Sequence, residues 1–246
     1  MKYIISLVCI VAVLTLPSSQ SLDAVTILKK VDANMVSKSK IIESKMVISG
    51  TRTNRTIASR GYSEGNDKSF TEYLSPEREK GTKMLKLANM LWIYSPETDR
   101  IIQLSGHLLR QSVMGSDLSY EDMMETRKLT DIYNAKVIDE EKVDGRNTWI
   151  LELNAKVTDV NYVKCKIWID QERFVPLIQE FYAKSGQLLK KTTLSNVERI
   201  GNRWFPKKVN YKDMLKNGQG TDFIIDNIKF DVDIPDYIFS KASLKK

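Results

Sequence analysis

The feature that most constrains this chain is a two-residue alternation of apolar and polar side chains, which recurs along most of its length and is broken once. In "YVKCKIWID", Val163, Cys165, Ile167 and Ile169 fall on one side of an extended chain, and Lys164 and Lys166 on the other. The same period places Ile42, Met46 and Ile48 on one face with Ser44 in "SKIIESKMVISG". It also sets Trp149, Leu151, Leu153 and Ala155 against Thr148, Glu152 and Asn154. Pro76 and Pro96 end strands, and "EGNDK" and "ETD" are turns. Asp144-Gly145 marks a hairpin, and Ser185-Gly186, Gly201-Asn202 and Asn217-Gly218 mark further turns. The pattern predicts a mainly β chain with some α: an antiparallel meander of roughly ten to eleven strands, wide enough to curl and make a concave face.

The interruption is "HLLRQSVMGSDLSYEDMM", His107 to Met124. Leu108, Leu109, Ser112 and Val113 recur at helical spacing, and Gly115 suits a helix end. Ser119, three residues before Asp122, is like a capping box, and Met123 and Met124 ride on the short helix that follows. A second helix is predicted near the start, over Leu22–Ser37, with Leu28, Val31 and Met35 on one stripe and Lys29, Lys30 and Asp32 elsewhere. Flexible thioethers adapt to variable apolar guests, so we read the insert as a lid whose underside carries Leu108, Leu109, Val113, Met114, Met123 and Met124. The alternative is a static helix closing the barrel end. Alternation sets Leu87, Leu91, Trp149, Leu151, Leu153, Ile167 and Ile169 on the face below, where an apolar cavity is expected; a slip of one residue would flip any of them.

At 246 residues and 42% hydrophobic content the chain buries a sizeable core. Met1-Lys2, the apolar run Tyr3–Leu16, Pro17 and the small residues Ser19 and Ser21 read as a secretory leader over residues 1–21. The mature chain is expected to begin near Leu22 and to form one domain over 22–246. Cys9 leaves with the leader, so Cys165 has no internal disulfide partner and reads as a small buried hydrophobe. The formal charge is +7, or +6 without Lys2, which suits an anionic partner such as a lipid headgroup; scattered basic residues argue against nucleic acid. His107, the only histidine, is read as a capping or surface residue. With no metal-ligand spacing, nucleophile motif or phosphate loop, no catalytic residue, metal or cofactor is expected.

"YLSPEREKGTKMLKLANMLWIYSPETDRIIQLSGHLLRQSVMGSDLSYEDMM" resembles the outer-membrane lipoprotein-sorting protein family, the LolA/LolB-like carriers. The Pro-ended apolar strand "LWIYSP", the strand "RIIQLSG" and above all the insert "MGSDLSYEDM" carry the likeness, and "IPDYIFSKASL" extends it over most of the mature chain. The resemblance implies an unclosed antiparallel β-barrel with helices as a lid and acyl chains held between sheet and lid. It implies a periplasmic, monomeric carrier that takes lipoprotein or lipid toward the outer membrane, with an inner-membrane lipid-exporting permease and an outer-membrane acceptor as partners. A lipid- or protein-sensing envelope regulator on the same scaffold, or an envelope hydrolase, is the alternative. The chain departs from the pattern at one point. The best-known carriers place an Arg before the proline that ends an early strand, where it helps hold the lid; here that residue is Ser75, before Pro76, with Arg78 nearby.

Overall fold

The computed structural model describes residues 22–50 and 53–245; the leader and Cys9 lie outside them. Asp23 caps the first helix, α1 (Ala24–Met35), by accepting from the amide and hydroxyl of Thr26. Six strands follow as a meander: β1 (Ser39–Ile48), β2 (Arg55–Glu64), β3 (Lys68–Ser75), β4 (Lys83–Leu87), β5 (Met90–Ser95) and β6 (Arg100–Leu104). The insert comes next, and then seven more strands: β7 (Tyr133–Val143), β8 (Arg146–Ala155), β9 (Lys164–Asp170), β10 (Pro176–Tyr182), β11 (Leu188–Ile200), β12 (Arg203–Asp213) and β13 (Thr221–Phe230).

All thirteen belong to one antiparallel sheet in the order β6-β5-β4-β3-β2-β1-β13-β12-β11-β10-β9-β8-β7. Two consecutive meanders are joined where β1 pairs with β13, with Lys40 opposite Phe230. The sheet stays open between its edges β6 and β7, and the insert is the segment that links those edges. The sequence therefore interrupts its alternation where the barrel interrupts its closure. The strand count exceeds the ten to eleven expected because long apolar stretches divide at tight turns. "TKMLKLANMLWIYSP" splits into β4 and β5 at Ala88, whose φ of 50° lies in the left-handed region. Asp144 and Gly145, both at positive φ, turn the β7–β8 hairpin as anticipated.

The core forms in separate patches. Ile27, Leu28 and Val31 of α1 pack on Leu151, Leu153, Cys165, Ile167 and Ile169 from β8 and β9. The insert packs on β1–β5 around Met46, Ile57, Tyr73, Met84 and Leu91. On the opposite sheet face, the C-terminal tail lays Ile234, Phe239 and Leu244 over Phe70, Leu85 and Trp92. The strands β4 and β5 are thus covered on both sides, which is why "LWIY", Leu91 to Tyr94, is apolar at every position.

Candidate functional site

Between α1 and the insert, inside the curled sheet, lies a cavity of about 540 Å³. Ile42 and Met46 of β1, Thr71 and Tyr73 of β3, Leu153, Ile167 and Phe181 of the second meander, and Phe223 of β13 line it. Val31 and Met35 of α1 close one side; Val113, Leu118 and Met123 of the insert close another. Its size is that of an ordinary small-ligand pocket. Gly61 on β2 contributes to the space: a Cβ added there would meet only the Thr71 hydroxyl, at 3.8 Å.

The insert is made of short pieces. The first helix expected from the stripe is two 3₁₀ turns, Gly106–Arg110 and Val113–Gly115, parted by the extended backbone of Gln111 and Ser112, and Met114 inside the second takes a φ of 50°. The second is α2 (Tyr120–Met124), whose Ser119–Asp122 capping box forms as the sequence suggested. A third, α3 (Leu129–Ile132), leads into β7 and was not anticipated. Its first amides have no capping residue of their own; instead Asp32 of α1 accepts from the Leu129 amide at 2.9 Å, the Thr130 amide at 3.1 Å and the Thr130 hydroxyl at 2.7 Å. The sequence placed Asp32 off the buried stripe, yet it is buried.

Polar ties fix the insert at several points. Arg55, at the start of β2, donates to the Met114 carbonyl and pairs with the buried Glu79 at 3.3 Å. Arg55 thereby ties the insert to β2, whereas Ser75 and Arg78 are both exposed. Asp117 accepts from the Asp213 amide at 3.0 Å and the Thr221 hydroxyl at 2.9 Å. Lys216 donates to Ser112 at 2.7 Å and to the Ser116 carbonyl at 3.1 Å. Deeper in, Asp122 pairs with Lys190 and accepts from the Tyr162 hydroxyl at 2.7 Å. Burial, with the Asp122 charge nearby, pushes the Tyr211 hydroxyl up to about 12, so this wall of the cavity stays protonated. Lys86 of β4 buries its ammonium against the carbonyls of Asn66 and Met124, at 2.6 and 2.7 Å, and the Thr126 hydroxyl at 2.9 Å.

The predicted cavity residues divide. Leu153 and Ile167 line the cavity. Leu151, Ile169 and Trp149 belong to the same cluster but are covered by α1 and its surroundings. Leu91 lies beneath the insert beside Met84, Tyr120, Met123 and Met124. Leu87 sits on the opposite face, with the C-terminal tail, because the inward residues of β4 are Met84 and Lys86. Among the predicted lid residues, Val113 and Met123 face the cavity, and Leu109, Met114 and Met124 pack on the cluster around Met46 and Tyr73. Leu108 stays at the half-buried margin, outside that cluster. Cys165 is buried, and that burial lifts its thiol to about 12; it donates to the Tyr133 hydroxyl at 3.4 Å. Among the described residues no cluster of His, Cys, Asp or Glu would hold a metal ion, and no helix is long and apolar enough to cross a membrane.

A family model described as "Uncharacterized protein" matches residues 65–246. A LolA superfamily protein from Nitrosomonas europaea is 26% identical, with a TM-score of 0.75 over 91% of this chain and 100% of its own. A DUF1329 family protein from Desulfovibrio piger is also 26% identical, with a TM-score of 0.79 over 89% of this chain and 97% of its own. A domain described as an outer membrane lipoprotein-sorting protein domain, from Vibrio parahaemolyticus, shares the fold at 23% identity, with a TM-score of 0.78 over 91% and 98% of the two chains. No curated protein matches the chain in sequence.

Proposed function

We propose a role for a chain that belongs to the family whose model covers residues 65–246, one of the LolA-like outer membrane lipoprotein-sorting proteins: it is a periplasmic carrier that shelters the acyl chains of a lipid or lipoprotein and moves them toward the outer membrane. The observation that carries the reading is the cavity of about 540 Å³ between α1 and the insert. Each buried CH₂ of an acyl chain contributes about 0.8 kcal/mol, so a chain seated there is held firmly without any specific contact. Entry and exit need an opening, and the insert spans the one gap in the sheet order. Methionines on its underside suit a surface that must repack around a guest. The role asks for binding and release, and we assign no bond-making step to it.

The test is a substitution that fills the cavity while leaving the fold alone. Gly61→Leu places a side chain where a Cβ has ordinary contacts and the backbone is not left-handed. A fluorescent acyl probe should bind the delipidated mature protein and lose most of that binding in Gly61→Leu, with an unchanged β-sheet circular dichroism spectrum. Equal binding by both proteins rejects the carrier reading.

A further inference from the structure

The cavity is apolar at its centre but not at the end where β1 begins. The strand register sets Lys40 of β1 opposite Ser63 of β2, Ser63 opposite Ser69 of β3, and Ser69 opposite Lys86 of β4. All four side chains line the cavity. They form one row across four neighbouring strands, about 14 Å from end to end at the usual strand spacing. The next row inward is Ile42, Gly61, Thr71 and Met84, where polarity falls away.

The two lysines of this row differ. Lys86 spends its three donors on two carbonyls and a hydroxyl. Lys40 has no carboxylate, carbonyl or hydroxyl partner among the described residues, and the hydroxyls of Ser63 and Ser69 are likewise unpartnered there. Lys40 is half-buried, and an ammonium drawn partly out of water into a cavity without a partner is costly. Burial, and then repulsion from Arg203, lowers the Lys40 pKa, so an anion beside it would relieve both effects. The bias continues around the wall: seven Lys and Arg side chains line the cavity against three carboxylates.

Building on the carrier reading, we infer that the cargo is an anionic amphiphile, its carboxylate or phosphate seated on Lys40, Ser63 and Ser69 and its acyl chain running past Ile42 toward the insert. Ser63 and Ser69 donate hydrogen bonds, Lys40 supplies the charge, and Lys86 adds to the positive field from the far end of the row. A neutral acyl chain fits the same space but leaves Lys40 unpaired.

The experiment displaces a neutral fluorescent acyl probe from delipidated protein with laurate, dodecyl phosphate, neutral methyl laurate or inorganic phosphate. Laurate or dodecyl phosphate should compete at concentrations at least about tenfold lower than methyl laurate, the scale of one charge-assisted hydrogen bond. Whichever of the two competes better identifies the source as a fatty acid or a phospholipid headgroup. Lys40→Met should abolish the preference without weakening methyl laurate, and Lys40→Arg should keep it, which separates loss of charge from loss of fold. Wild-type protein that treats charged and neutral laurates alike, a preference that survives in Lys40→Met, or inorganic phosphate that competes as well as dodecyl phosphate overturns the inference and leaves the carrier reading standing. Failure of every acyl compound, probe included, to bind removes both.

Discussion

The two sides of the cavity are built differently. On one side α1 meets β8 and β9 through Ile27, Leu28 and Val31, which are at most 1% exposed, against Leu151, Leu153 and Ile169, which are fully buried. Its polar framework is also buried: Asp170 sits between Arg146 and Arg173 and accepts from the Glu172 and Arg173 amides at 2.9 and 3.0 Å. On the other side the insert presents Leu109, Met114, Met123 and Met124, all only partly buried, and is fastened by separate polar ties to Arg55, Lys190 and Lys216. Close-packed branched side chains resist any separation. Soft thioethers and isolated hydrogen bonds allow one. The difference separates a wall set deep in the core from one that, apart from the buried Val113 and Tyr120, rests on partly exposed side chains and separate polar ties.

Breaking the rigid side should have the largest effect. Val31→Asp buries a carboxylate among aliphatic groups and should cost more than about 4 kcal/mol, seen as loss of the cooperative urea transition. Next, Asp170→Asn leaves Arg146 and Arg173 without their shared partner and should cost about 3 kcal/mol. Burial alone would raise the Asp170 pKa, but hydrogen bonds from the two arginines and the local amides override it and hold it at about 2. Its folded value lies below the ordinary 3.8, so its contribution is complete above pH 4 and is lost as pH falls toward 2. Urea midpoints measured across that window should drop in the wild type and flatten in the variant.

The insert side should respond otherwise. Leu109→Asp with Met114→Asp should remove most acyl-probe binding while costing no more than about 2 kcal/mol per site, because both positions already reach the surface. The β-sheet circular dichroism spectrum should persist; global unfolding would make the insert part of the core after all. Arg55→Met removes a charged donor from the Met114 carbonyl, worth about 2 kcal/mol. Hydrogen exchange across residues 106–124 should speed up by about thirtyfold, with α1 unchanged; equal acceleration in α1 would erase the contrast. Asp23→Ala, which removes only a helix cap, should cost about 1 kcal/mol and leave probe binding intact.

Much of this was written in local pattern. The face shared by Cys165, Ile167 and Ile169 follows from alternation, the α2 start from Ser119 and Asp122, and the β7–β8 turn from Asp144-Gly145. The misreadings concern contacts made at long range. Leu87 was placed inward because nothing nearby reveals that residues 232–244 cover the other face of β4. Asp32 was set off the apolar stripe, since polar residues usually face water, and nothing local marked Lys40 or Lys86 as inward. Their inward position is visible only in the strand register and, for Asp32, in α3, which it caps from far away in the chain. Arg55 carried no signal as a lid tie, because its partner Met114 contributes a backbone carbonyl, which any residue would supply.

The strand order also bears on how the molecule comes into being. Each meander assembles from neighbouring hairpins, but the seam that unites them pairs β1 with β13, nearly the whole chain apart. Such non-local pairing slows folding relative to local contacts. A chain emerging amino end first therefore holds the second edge of β1 unpaired until Thr221–Phe230 arrives, and an unpaired edge is a template for other chains. Lys40 and Lys45 stand on that edge, and their charges would discourage a stray strand during the wait.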